Sequence, residues 1–170
     1  MQKPKSPSGN NNVFALSSGQ ADVARRHAAS PMVRIHLLGN MRASTVRHSD
    51  ILPRGRKARA MLGYLCLAGG ALVSRSRLAA MLWDRVPQCQ ARASFRQAFR
   101  ELTVAFGPMS DDLLCADRDT VRLDTGACWI DTLALLSEEP GADDIRSTLA
   151  ELCRGELLED LNDVSPAFDQ

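Results

Sequence analysis

No apolar run in the 170 residues approaches the roughly 18 that a membrane span needs, so no transmembrane helix is expected. The N-terminus lacks the apolar core of a signal peptide, and the expected location is therefore the cytoplasm. Histidine is scarce: His27, His36 and His48 stand apart, none in a metal-ligand spacing. The five cysteines, Cys66, Cys89, Cys115, Cys128 and Cys153, are odd in number and form no CxxC pair. That argues against a disulfide framework or zinc site and makes most of them small core residues. No P-loop, GxGxxG or GxSxG word occurs. Asp143-Asp144 and Glu159-Asp160 are paired acids, but each is more simply a helix end or solvated charge. These absences point away from an enzyme, and no cofactor or metal is expected.

Acid is also nearly missing from the first two thirds of the chain. Residues 1–107 carry 17 Lys and Arg against four Asp and Glu (Asp22, Asp50, Asp84, Glu101), a net +13. Residues 108–170 carry four against 16, a net −12, so the overall +1 conceals a strong polarity. Such asymmetry fits a nucleic-acid-binding half joined to an acidic half with another task. A solvated surface with uneven charge is the plainer alternative.

Residues 1–31 are rich in Ser, Asn, Pro and Ala without a periodic apolar face, which predicts a disordered leader. The folded part is predicted to start near Val33. VRIHLLG alternates and then runs apolar, as a strand does, and Gly39-Asn40 signals a turn. Residues 42–47 predict a second strand and 49–53 a short third extended piece ending at Pro53, together a small antiparallel sheet. Ala58, Met61, Leu62, Leu65 and Cys66 recur at helical spacing from Arg56 to Ala68, with Gly69-Gly70 as the stop. Val73-Ser74 reads as an extended link. Ser74 is a natural N-cap for a second helix, Arg75 to Trp83, with Leu78, Met81 and Leu82 facing inward. Asp84–Gln90 reads as a polar loop around Pro87, and a third helix is predicted from about Arg92 to Phe106, ending at Gly107-Pro108. Residues 112–116 and 120–124 flank Asp117-Arg118-Asp119 as a hairpin. Sheet, three helices and hairpin in that order predict an α+β winged helix-turn-helix over 32–124. Residues 125–170 form an acidic segment predicted as helical, with WIDTLALL and IRSTLAELC separated at Pro140-Gly141.

The third helix carries the functional argument. Stepping 100° per residue from Phe95 puts Phe99, Leu102 and Phe106 in one buried stripe. Ala93, Gln97, Arg100 and Val104 fall opposite, with Arg96 at the edge. A face with two Arg and one Gln, on a helix whose one predicted acid is Glu101, can approach DNA closely. Arg donates two hydrogen bonds to guanine and Gln pairs with adenine in the major groove. At the start of the second helix, free N–H groups with Arg75 and Arg77 suit a phosphate, alongside capping by Ser74. Arg118 at the hairpin tip suits a minor groove, with Asp117 and Asp119 weighing against it. Arg54, Arg56, Lys57 and Arg59 crowd the start of the first helix, where cations oppose the helix dipole, so an anion is expected nearby or the cost is tolerated.

The element order and the words VRIHLLG, PRGRKARAMLGYLCLAGGALVSRSRLAAMLW, QARASFRQAFRELTVAFG and LLCADRDTVRLD resemble the DNA-binding domain of SARP-type regulators (the Streptomyces antibiotic regulatory protein family), whose winged helix is of the OmpR type. WIDTLALL and LCRGELLEDL resemble the opening of the bacterial transcriptional activator domain, a helical-repeat module that follows it there; the resemblance spans about 33–168. It implies a recognition helix with Arg92, Ser94, Arg96, Gln97 and Arg100 toward DNA. It makes the hairpin the wing; backbone or wing contacts are expected from Ser74, Arg75, Arg77, Arg118, Arg122, Arg56 and Lys57. The loop with Asp84, Arg85 and Gln88 resembles the one that meets RNA polymerase in some OmpR-type activators. No receiver domain precedes the winged helix, so phosphorylation control is not implied, and the helical-repeat part stops at Gln170 where family members continue. The expected function is a sequence-specific regulator of transcription, an activator, that binds double-stranded DNA, with RNA polymerase and a second copy on the same DNA site as further expected partners and no membrane partner. The rival is a protein-interaction module built on a winged helix, with the acidic half as partner surface.

Overall fold

The computed structural model describes residues 31–136 and 155–168. The first strand, β1 (Val33–His36), buries Val33 and Ile35 and turns Arg34 to solvent, the alternation that a half-buried strand requires. Strand β2 (Arg42–Thr45) pairs with it antiparallel, Val33 opposite Thr45 and His36 opposite Arg42. The third extended piece expected at 49–53 is reduced to one bridge, Ser44 to Asp50, beside an Ile51 N–H donated to the Ala43 carbonyl.

Helix α1 (Arg56–Leu67) buries Ala58, Met61, Leu62, Leu65 and Cys66 on the face that the apolar spacing predicts. Strand β3 (Val73–Ser74) leads into α2 (Arg75–Leu82), whose N-cap Ser74 accepts a hydrogen bond from the Arg77 N–H at 3.3 Å. Helix α3 runs Gln88–Phe106, one turn longer at its start than expected. Pro87, with φ −56° and ψ 147°, is its N-cap. A proline's missing N–H costs nothing at a helix entrance, so Pro87 opens the helix instead of holding a loop, and Gln88 is helical. Gly107 ends α3 at φ +56° and ψ −134°, a backbone region that side chains with a Cβ avoid.

A short turn, α4 (Ser110–Leu113), then carries Asp112 and Leu113, which the sequence pattern placed in a strand. Strands β4 (Leu114–Ala116) and β5 (Thr120–Leu123) form the hairpin, and β3 joins its other edge in the order β3-β5-β4. One core fills the space between helices and hairpin, with Phe106, Leu102, Leu78, Leu82, Leu113 and Leu123 fully buried. This is an α+β winged helix.

Phe99 departs from the predicted stripe: it is half-buried, its ring stacked on that of buried Phe95 at 6.1 Å and 7°. Phe99→Ala is therefore expected to cost only about 1–2 kcal/mol, below the range for a fully buried Phe. Urea unfolding checks this, and a loss of 4 kcal/mol would contradict it.

The chain beyond the hairpin differs most from expectation. Trp129 and Ile130, read as helical, lie in a strand, β6 (Cys128–Ile130), that pairs parallel to β1 with Val33 opposite Cys128. The first sheet is thus mixed, β2-β1-β6, and not purely antiparallel. Helix α5 (Asp131–Leu136) starts only after it. The segment 155–168 returns to the same sheet: the Gly39 N–H donates to the Glu156 carbonyl at 2.8 Å and the Leu158 N–H to that of Leu37 at 2.7 Å. Gly155 passes so close that a Cβ there would lie 2.5 Å from the Gly39 Cα. Leu158 is buried against Gly63 of α1 despite a left-handed φ of +53°, and Leu161 and Val164 are buried too. The predicted helix IRSTLAELC, with Leu149 and Leu152, lies outside the described residues, as does the 1–30 part of the leader.

Candidate nucleic-acid interface

Helix α3 presents Arg92, Ala93, Arg96, Gln97, Arg100 and Val104 to solvent, while Ala91, Phe95, Ala98, Leu102 and Phe106 are buried. Ser94 is half-buried. The helix holds one acid, and its side chain is turned away from the exposed cations. Glu101 is half-buried, and its carboxylate accepts the Gly55 N–H at 2.5 Å, at the N-cap of α1. A carboxylate here also suits the positive end of the α1 dipole. The outward face of α3 is left cationic and amide-bearing, with exposed Val104 as an apolar member. Glu101→Ala should cost about 1–2 kcal/mol, near the value of a hydrogen bond to a charged acceptor. Chemical unfolding measures it; a neutral effect would mean the Gly55 bond is not made.

The hairpin tip is built from its own side chains. The Asp117 carboxylate accepts from the Asp119 N–H at 2.8 Å, the Thr120 N–H at 2.6 Å and the Thr120 hydroxyl at 2.9 Å. The N–H groups of Thr120 and Asp119, then the Thr120 hydroxyl and nearby Arg75, hold the Asp117 carboxyl below its ordinary value. Its negative charge is thus directed into the turn, and Arg118 stands exposed beside it. Arg122 is half-buried on β5, across from Cys115. Because the folded-state value is lowered, the turn is tightest above the unfolded range, near pH 4, and loosens as pH falls through the lower folded value. The Thr120 amide resonance, followed by NMR, should titrate with a midpoint below that of an unstructured Asp; a midpoint at or above it would contradict the bonds.

Three of the cations expected near phosphates are engaged within the protein. Arg75 donates from Nη1 to the Asp117 carbonyl at 2.6 Å, and its guanidinium lies 5.2 Å from the Phe95 ring centre and 5.7 Å from that of Phe99. Its own N–H donates to the Asp119 carbonyl at 2.9 Å, so that donor at the start of α2 already has a partner. Lys57 donates to the carbonyls of Leu82 and Val164, with its ammonium 6.0 Å from the Trp83 ring centre. Arg56 donates to the Asn162 carbonyl at 2.6 Å. Neighbouring Arg59 reaches the Asp160 carboxylate at 3.3 Å and the Pro53 carbonyl at 2.8 Å. Within this basic cluster, Arg59 thus meets a carboxylate of the C-terminal segment, while Arg56 and Lys57 are held by main-chain carbonyls. Arg77 stays exposed.

The turn between α2 and α3 exposes Asp84 and Arg85 beside a cleft of about 310 Å³ that Asp163 and Pro166 also line. Gln88, grouped with this loop from the sequence, is the first residue of α3.

Asp131 is not among the residues that the sequence pattern singles out. It is fully buried, and its carboxylate accepts the N–H groups of Leu37 (2.9 Å), Leu38 (3.1 Å) and Thr132 (2.7 Å). Its signal was legible: an Asp directly after an apolar pair and before a helical run is a cap pattern. Of the cysteines, burial pushes the Cys66 thiol well up and that of Cys128 to about 12, so neither is a reactive thiolate; Cys89 is exposed, contrary to a core role. Among the described residues no helix is long and apolar enough to cross a membrane.

No protein-family model matches the chain, and no curated protein matches it. Among solved structures, the chain is similar to that of Mycobacterium tuberculosis EmbR in complex with a low-affinity phosphopeptide, with a TM-score of 0.59 and 22% identity. The match covers 79% of this chain and 39% of EmbR. It shows a shared fold; this chain spans well under half of that protein.

Proposed function

We propose that the chain is a SARP-type transcription regulator that reads double-stranded DNA, with α3 in the major groove and the hairpin 114–123 at the minor groove. The observation that carries this reading is the composition of the outward face of α3: Arg92, Arg96, Gln97 and Arg100 exposed, and Glu101 bonded inward to Gly55. Arg and Gln read guanine and adenine edges, and Val104 suits a thymine methyl group. Ser94, half-buried, sits at the rim of that face. Phosphate contacts fall to Arg77, Ser74, Arg118 and Arg122, which flank it on α2 and the hairpin; Arg56, Lys57 and Arg75 are committed to internal partners. Exposed Asp84 and Arg85, with exposed Gln88 at the start of α3, are the residues we assign to RNA polymerase. Residues from 125 onward open the activator module of the proposed family.

The test is selection of bound sequences from a random duplex pool, followed by titration of the winner over a range of salt. A DNA reader should enrich one sequence and lose affinity steeply with salt, since each neutralised phosphate adds about 0.9 to the slope of log K against log salt. No duplex binding at low salt would overturn the reading and leave the protein-interaction module. The stoichiometry on the selected duplex reads directly whether two copies bind.

A further inference from the structure

We infer that Arg75 is a positioning residue which fixes the hairpin tip relative to the outward face of α3, an inference that rests on the DNA-binding reading above. Four observations bear on this residue. Its guanidinium lies over both rings of the stacked Phe95–Phe99 pair, at 5.2 and 5.7 Å, and so is tied to α3. Its Nη1 donates to the Asp117 carbonyl at 2.6 Å, and its main-chain N–H to the Asp119 carbonyl at 2.9 Å, so it is tied to both sides of the tip. The tip is internally rigid, because the Asp117 carboxylate holds Asp119 and Thr120. Phe99 is half-buried, so the aromatic bed is open to a cation from above.

A planar guanidinium can stack on rings and donate in its own plane at once; a lysine ammonium has one compact charge and no plane. The residues on either side of this clamp are the proposed DNA contacts: Arg118 on the tip, Arg96 and Arg100 on α3. They must meet two different grooves together, so their separation sets how well one duplex satisfies both. Arg75 thus acts on DNA through the hairpin and not by touching it.

The experiment compares Arg75→Lys and Phe99→Leu with the wild-type chain. Each is assayed for binding to the selected duplex, for binding to an unrelated duplex, and for hydrogen exchange at the Asp119 and Thr120 amides without DNA. The clamp predicts that Arg75→Lys loses about tenfold on the selected duplex while the unrelated one binds as before. It also predicts faster exchange at the tip in both variants. A phosphate contact would instead survive Arg75→Lys, because lysine retains the charge; wild-type affinity in that variant overturns the inference. Exchange unchanged in either variant overturns it as well. Equal losses on both duplexes would mean a general loss of fold or charge, again against it. Should the wild-type chain bind no duplex, the DNA-binding reading fails, and the exchange arm still decides whether Arg75 holds the tip.

Discussion

Replacing Gln97 and Arg100 together by Ala is expected to abolish the preference for the selected duplex and to leave the fold intact. Both side chains are exposed on α3, and the stripe that anchors the helix, Phe95, Leu102 and Phe106, lies on its other side. A bidentate base contact discriminates by about 1–3 kcal/mol, so losing two contacts should cost roughly 30-fold to 10⁴-fold in specificity. Non-specific binding should fall far less, because Arg92, Arg96, Arg77 and Arg118 still supply charge. Competition between selected and unrelated duplex, with a circular dichroism spectrum as control, measures both. Retained preference with a native spectrum would place the reading elsewhere on the surface.

Asp131→Ala should unfold the protein more readily than any change on the outward face of α3, at a cost of about 3–5 kcal/mol. The carboxylate is fully buried and caps three backbone N–H groups, two of them at the end of β1. Removing it leaves those donors without an acceptor in a site closed to water. His36 approaches the same carboxylate, its Nδ1 3.8 Å away, but stands partly in solvent and is no substitute acceptor for Leu37 or Leu38. Asp131→Asn keeps one acceptor oxygen and should cost less than half as much. Urea unfolding of both variants separates the two values; equal losses would mean that the negative charge, not acceptor count, is what matters.

Much of the winged helix was legible in the sequence because it is locally coded. The apolar spacing of α1, the Ser74 cap of α2, the Gly107 stop of α3 and the turn residues of the hairpin each act over a few neighbours. The cationic face of α3 follows from the same periodicity, since 100° per residue assigns sides without any tertiary information. Pro87 shows the limit of that logic: a proline signals a break, but whether it ends a loop or begins a helix depends on the residues after it.

What the sequence by itself determined, then, is the order of elements and the residues turned outward on α3. The tertiary structure alone decided which charges are held within the fold. Arg56, Lys57 and Arg75 look the same in sequence as Arg92, Arg96 and Arg100, yet the first three are held by carbonyls and rings from up to about a hundred residues away. It also decided the strand at Cys128–Ile130, whose three residues carry no period of their own and become a strand because the edge of β1 offers them hydrogen bonds. The physical reason is common to both: periodicity encodes which face of an element is apolar, while the partner of a charge or of a strand edge is set by segments remote in the chain and adjacent only after folding.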